Sequence, residues 1–215
     1  PLSLDVIVTR GSTTESVHRV HAAVVNADGA LLAGARDPGL VTMWRSCAKF
    51  FQVLPFLTSG GFAQLGWGDE ELALACASHG GEPEHVAVAH RMLASLGLEE
   101  GDLACGPHEP LSVRGARLAR ESGLPFTRLM NNCSGKHGGF LCAACAMGED
   151  PEFYLDPTRA VQREVKAVLE DLSGATLPDD CRGIDGCSAP TWAIPLDALA
   201  KAFARFGSGE KLGRE

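Results

Sequence analysis

Positive charge is what this 215-residue chain is short of: 19 lysines and arginines face 27 aspartates and glutamates, a formal net charge of -8. Binding a polyanion requires the opposite balance, so nucleic acid and anionic membrane are not expected as main partners. Long apolar runs are missing too. The longest, such as residues 140–147, stop far short of the about 20 residues that a bilayer span requires. No basic segment leading into an apolar one opens the chain, so a cytoplasmic location is expected. Repeats and low-complexity segments are absent, and the one linker-like stretch is residues 206–215. A disulfide framework is not needed either. A chain of this length buries a core without staples, so its 8 cysteines are expected as free thiols or ligands.

What is there divides into two textures. β-Branched residues cluster around Val6 to Val8 and Val20 to Val25, and Leu31 and Leu32 follow Asp28-Gly29. This predicts an antiparallel meander of three strands with a tight turn before the third. From Arg45 onward the spacing is helical, with helices expected near 46–58, 69–77, 83–97, 111–122, 136–147, 158–173 and 195–206, each bounded by Gly or Pro. A sheet region over residues 1–44 followed by a mainly helical region over 45–206 implies an α+β fold rather than a doubly wound array.

Chemistry concentrates in three short segments, WRSCAKFFQ (44–52), NNCSGKH (131–137) and GIDGCSAP (183–190). The first holds a Ser-x-x-Lys pair. Ser46 and Lys49 open an apolar stretch with Phe50, Val53, Leu54 and Leu57, which places them three apart on one side of a half-buried helix. Burial, and a neighbouring cation such as Arg45, lower a lysine pKa until the neutral amine can take the serine proton. The second match, Ser208 to Lys211, sits in a glycine-rich, charged tail and reads as chance.

Most cysteines have a plain explanation. Cys76, Cys142 and Cys145 lie among Ala and Leu in expected helices, where a thiol acts as a small apolar filler. Cys133 and Cys187 differ, because each sits in a polar, glycine-containing loop. Two thiolates there suit Zn²⁺, with Lys136 or His137 as a third donor and a position left open. From spacing alone, two reactive or merely exposed thiols are the favoured reading. His79 follows Ser78 directly and is a candidate for the same site. His18, His21, His85 and His90 read equally well as surface or core residues, and His108 has no assigned role.

Taken together, VHRVHAAVV (17–25), RSCAK (45–49), CASHGGEPEH (76–85), CGPHEPLS (105–112), NCSGKH (132–137) and GIDGCSAPTWAIPLD (183–197) resemble the rhizobial-type L-asparaginases, the class 3 or asparaginase II family. Order and spacing agree along essentially the whole chain. The resemblance implies a single domain of the serine β-lactamase and glutaminase-like fold. It further implies hydrolysis of L-asparagine to L-aspartate and ammonia in a homodimer, without an organic cofactor. It assigns Ser46 and Lys49 as one catalytic pair and Ser78 as a second serine served by a lysine much later in the chain. Cys133, Lys136 and Cys187 match zinc ligands, and Asp185 matches an acidic residue beside the metal; Arg45, His79 and Asp185 are expected to bind substrate. A lysine ligand must first lose its proton, which the metal itself brings about. Family members run well beyond residue 215, so the chain is expected to be incomplete at its C-terminus. Two other readings stand beside this one: a non-catalytic zinc- or ligand-binding fragment of that fold, and a cysteine-dependent amidase using Cys133 with His137.

Overall fold

The computed structural model describes residues 4–209, which form a mixed α and β structure with antiparallel strands first and helices after them. The chain divides into two compact units, one of residues 1–44, 169–182 and 192–215, the other of residues 45–168 and 183–191.

The first unit opens with two hairpins where the sequence predicted a three-stranded meander. β1 (Leu4–Arg10) pairs with β2 (Thr13–Val20), and β3 (Ala22–Val25) pairs with β4 (Leu31–Ala35). Val20 ends one strand and Ala22 begins the next, so the run read as one strand is two. The Asp28-Gly29 turn lies in a loop closed by Asn26, whose side-chain oxygen accepts from the Ala30 N–H at 2.8 Å. Gly29 adopts φ 81°, and its Cα faces the Lys201 side chain so closely that an added Cβ would sit 2.5 Å from Lys201 Cγ. β5 (Val41–Met43) pairs antiparallel with β7 (Pro190–Pro195), Thr42 opposite Ile194. These two strands and the short β6 (Arg182–Ile184) were not read from the sequence, because their prolines and brevity mask the alternation. α9 (Leu196–Ser208) packs on β3. The second Ser-x-x-Lys match ends at Lys211, outside the described residues.

The second unit is built around one helix. α7 (Ser134–Ala146) is buried at every position from Ser134 to Ala144, and α2 (Leu54–Thr58), α3 (Gly61–Gln64), α4 (Asp69–Cys76) and α5 (Pro83–Ser95) all pack against it. A helix enclosed on all sides carries no polar stripe, and small residues let its neighbours come close. Gly135 meets the backbone of α4, where a Cβ would lie 2.4 Å from the Leu74 carbonyl oxygen. Gly139 faces Phe56 in the same way at 3.1 Å. The stretch expected as one helix over 46–58 is broken. A 3₁₀ turn (Arg45–Ala48) leads into α1 (Lys49–Gln52), and α2 starts again at Leu54, because Pro55 cannot donate the hydrogen bond that would continue the ladder.

The remaining helices carry the start and stop chemistry that made them legible. α4 has Asp69, Glu70 and Glu71 in its first turn, with Glu71 accepting from the Gly68 N–H at 2.9 Å and bonded to Arg91. α6 (Val113–Ser122) is capped by Ser112, which accepts from the Gly115 N–H at 2.8 Å, and closed by Gly123 at φ 66°. α8 (Ala160–Ser173) starts two residues later than expected, because Asp156 holds residues 156–158 in a turn and Glu149 accepts from the Ala160 N–H at 2.9 Å.

Since helix α7 has no free face, Gly135→Ala should destabilise the protein by about 2 kcal/mol despite alanine's better helix propensity. That corresponds to a fall in Tm of about 5 °C for a chain of this size. An unchanged Tm would contradict the close approach of α4 and α7.

Candidate active site and thiol centre

Three loops and one helix end of the second unit converge. Ser46 comes from the 3₁₀ turn after β5, Lys49 opens α1, Ser78 follows α4, and Cys133 and Lys136 belong to the start of α7. Asp185 and Cys187 sit in the loop after β6. That loop is a tight turn in which the Ser188 N–H bonds the Asp185 carbonyl at 2.9 Å, with Ser188 at φ 72°. Together Arg45, Ser46, His108, Asn132, Cys133, Asp185 and Cys187 line a cavity of about 200 Å³.

Lys49 is almost fully buried, at 1% exposure. Its Nζ lies 2.6 Å from the Ala77 carbonyl, 3.2 Å from the Asn132 carbonyl and 2.9 Å from Ser78 Oγ. Ser78 Oγ in turn lies 3.1 Å from Ser46 Oγ. The sequence predicted Lys49 facing Ser46 directly; the structure puts Ser78 between them. Burial pushes the Lys49 pKa below the ordinary lysine value, and the nearby Lys136 lowers it further. These partners can all be satisfied when the amine is neutral. Two carbonyls can only accept, so they take two N–H bonds and leave the nitrogen lone pair for the Ser78 hydroxyl.

Arg45 reaches across the cavity mouth to Asp185, Nε to Oδ1 at 3.1 Å. Its backbone sits at φ 47°, a conformation a residue with a Cβ rarely holds without cause, and this turns the chain into the Ser46 loop.

His79, expected among the substrate-binding residues, is 4% exposed and has both ring nitrogens engaged within the protein. Nδ1 accepts from the Gly81 N–H at 3.1 Å. Nε2 meets Ser134 Oγ at 2.9 Å, and that hydroxyl donates its only proton to the Leu129 carbonyl at 3.0 Å. The ring is therefore neutral, with its proton on Nε2. Burial pushes its pKa down to about 3, with His85 and Lys49 adding to the effect. Its place is behind Ser78, tying that loop to the start of α7.

The second group is sulfur-rich. Cys133 and Cys187, 54 residues apart in the chain, are brought close enough to shift each other's ionisation. Lys136 Nζ lies 3.1 Å from Cys187 Sγ. All 8 cysteines are free thiols, as expected from composition. The neighbouring Cys133, with His137 and Lys136, holds Cys187 below an ordinary thiol, and Cys187 together with burial holds Cys133 above it. Cys142, by contrast, is simply buried in α7, its pKa pushed up to about 12. Among the described residues no group of three or more His, Cys, Asp and Glu side chains has the arrangement of a metal centre. The amine beside these thiols is that of Lys136.

Sequence reading missed Tyr154, the partner of His137 in this neighbourhood. His137 Nδ1 is hydrogen-bonded to the Tyr154 hydroxyl, which accepts from the Ala104 N–H at 2.8 Å. The signal available was one tyrosine in the chain, placed in no recognisable motif.

The family described as L-asparaginase II covers residues 6–215, nearly the whole chain, and the chain belongs to that family. A search of the curated proteins finds no match. Among the described residues no helix is long and apolar enough to cross a membrane.

The neutral, buried His79 makes an acid-side prediction. The unfolded ring binds a proton near pH 6.5 and the folded ring only near pH 3, so its contribution to stability is complete above pH 6.5 and is lost as pH falls toward 3. The loss is on the order of 4 kcal/mol. His79→Asn, whose side-chain oxygen can replace Nδ1 as acceptor for Gly81, should flatten that limb in urea titrations at stepped pH. Identical acid limbs would contradict a neutral His79.

Proposed function

We propose that the chain is an L-asparagine amidohydrolase in which Ser46 attacks the side-chain amide, with Ser78 and Lys49 receiving its proton. The observation that carries this reading is the unbroken line of hydrogen bonds from Ser46 through Ser78 to a desolvated lysine. Ser46 is the member of that line on the cavity wall, and Lys49 is the member shielded from water. As the Ser46 oxygen bonds to the amide carbon, its proton passes to Ser78 Oγ while the Ser78 proton passes to Lys49 Nζ. Lys49 then returns a proton by the same route to the departing nitrogen, and ammonia leaves. Water repeats the sequence on the resulting ester and frees aspartate.

Substrate recognition follows from charge. The α-carboxylate of an amino acid pairs with Arg45 and its ammonium with Asp185, groups that otherwise pair with each other. The 200 Å³ cavity suits a single small amino-acid amide. We take the fold as serine β-lactamase and glutaminase-like and the assembly as a homodimer in the cytoplasm, on family resemblance.

Zinc belongs to the same reading. Two sulfurs beside a lysine amine are a donor set for a borderline-soft cation, which would take the place of their protons. Cys133, Lys136 and Cys187 would hold it. When bound it would supply a fixed positive charge next to the cavity, favouring a carboxylate or a developing oxyanion there. Purified protein dialysed against zinc-containing buffer should retain one equivalent by elemental analysis, and Cys187→Ser should lose it. Wild-type protein retaining none would contradict the metal assignment.

The cysteine-amidase alternative has less support. Cys133 holds its proton more tightly than an ordinary thiol, and His137 Nδ1 is turned to Tyr154. The fragment reading is separated by activity. Lys49→Met should fold and lose about 10³-fold in kcat, and Lys49→Arg, which cannot become neutral, should be no better. The wild-type rate should rise with pH to a plateau reached below the ordinary lysine value of 10.5, because only the neutral amine accepts the proton. Full activity in Lys49→Arg would overturn the role given to Lys49; no ammonia release by wild-type protein would favour the non-catalytic fragment.

A further inference from the structure

One polar group on the wall of the 200 Å³ cavity has no task in the hydrolysis described above. Most of the polar side chains around it are already engaged. Arg45 and Asp185 pair with each other, Ser46 meets Ser78, and the His108 ring bonds the Glu109 carbonyl through Nδ1 at 2.5 Å. Asn131 is used at both ends, its Nδ2 donating to the Gly106 carbonyl at 2.8 Å and its Oδ1 accepting from the Cys133 N–H at 2.9 Å. Asn132 differs. Its main-chain carbonyl is held on the buried side by Lys49 Nζ and the His79 N–H, each at 3.2 Å, so the residue meets the cavity with its side chain. That side chain is half-buried, and no hydrogen bond reaches its amide among the described residues.

The backbone on either side of it is fixed. The Asn131 N–H bonds the Arg128 carbonyl at 3.1 Å, and the Ser134 N–H bonds the Asn131 carbonyl at 3.0 Å. A rigidly placed carboxamide with its donor and its acceptor both unused, on the same wall as Ser46, is the complement of another carboxamide. We propose that Asn132 is a specificity-determining residue that pairs head to tail with the side-chain amide of the substrate, its Nδ2–H donating to the amide oxygen and its Oδ1 accepting from the amide nitrogen. This rests on the asparaginase reading, which places that amide beside Ser46. The consequence is discrimination between substrate and product. An amide satisfies both groups of Asn132, whereas a carboxylate satisfies the donor alone and sets a charged oxygen against Oδ1. The cavity is thereby biased toward asparagine and against aspartate. As Ser46 attacks, the amide oxygen gains negative charge and its bond from Nδ2–H strengthens.

The test is the ratio of two affinities. Binding of L-asparagine and of L-aspartate is measured by calorimetry in Ser46→Ala protein, where asparagine is not consumed, and this parent should bind asparagine the more tightly. Adding Asn132→Leu, close in shape but without polar atoms, should lower that preference about 10-fold, the worth of one hydrogen bond. Asn132→Ala, which removes the amide and adds no bulk, should give the same fall and serves where the leucine variant does not fold. Adding Asn132→Asp keeps an acceptor and brings a charge that repels the product, so it should hold or raise the preference. An unchanged ratio in Asn132→Leu and Asn132→Ala, or a ratio in Asn132→Asp that falls as far as theirs, would overturn the proposal. A parent that binds neither amino acid would overturn it together with the asparaginase reading. Wild-type protein that releases no ammonia while the ratios move as expected would end the hydrolase reading alone and leave the amide pairing standing.

Discussion

Everything in the second unit depends on one helix that is buried from Ser134 to Ala144. α7 runs through the centre of its neighbours, and its first turn carries Ser134, Lys136 and His137 into the interior along with glycines and alanines. A cation, an imidazole and a hydroxyl in such a place are tolerated only if each is paired, because an unpaired buried polar group costs several times what a hydrogen bond returns. The pairing partners arrive on other segments. His79 from the α4 loop takes Ser134, Cys187 from the β6 loop takes Lys136, and Tyr154 takes His137. The site is in this sense the solution to a burial problem, and the glycines that let α4 and α2 close on α7 keep water out of it.

The two buried lysines show how the same burial gives different chemistry. Lys49 faces two carbonyls and a hydroxyl, with no carboxylate among them, so its neutral form is favoured and it can serve as a base. Lys136 faces the Cys187 sulfur, whose pKa is held below that of an ordinary thiol by Cys133, His137 and Lys136. Both lysines sit within electrostatic reach of both thiols. A proton gained or lost in one group is therefore felt by the other, which links the state of the thiol centre to the basicity of Lys49.

Much of this was readable from residue order alone. Ser46, Lys49 and Ser78 do converge, and Lys136 meets Cys187; the Ser-x-x-Lys pair was legible from its spacing and the two thiols from their polar, glycine-containing loops, whereas Ser78 was assigned by family resemblance. Periodicity found α4 to α9 within a few residues, since each has acidic, serine or glycine punctuation at an end. Three things were hidden. The order Lys49, Ser78, Ser46 is a matter of tertiary approach, which i, i+3 spacing cannot rank. The break at Pro55 was overridden in reading by the apolar pattern on either side of it. The Tyr154 and His137 pair is 17 residues apart with no motif around the tyrosine, and only the closed packing of α7 gives the phenol its meaning.

The central claim is that the covalent step occurs on Ser46. Mixing the protein with L-asparagine, quenching in acid within the first turnovers and mapping the peptides by mass spectrometry tests it most directly. The account predicts an aspartyl ester on the peptide carrying Ser46, lost after mild alkali. An aspartyl thioester on Cys133, or ammonia release that continues undiminished in Ser46→Ala, would contradict it.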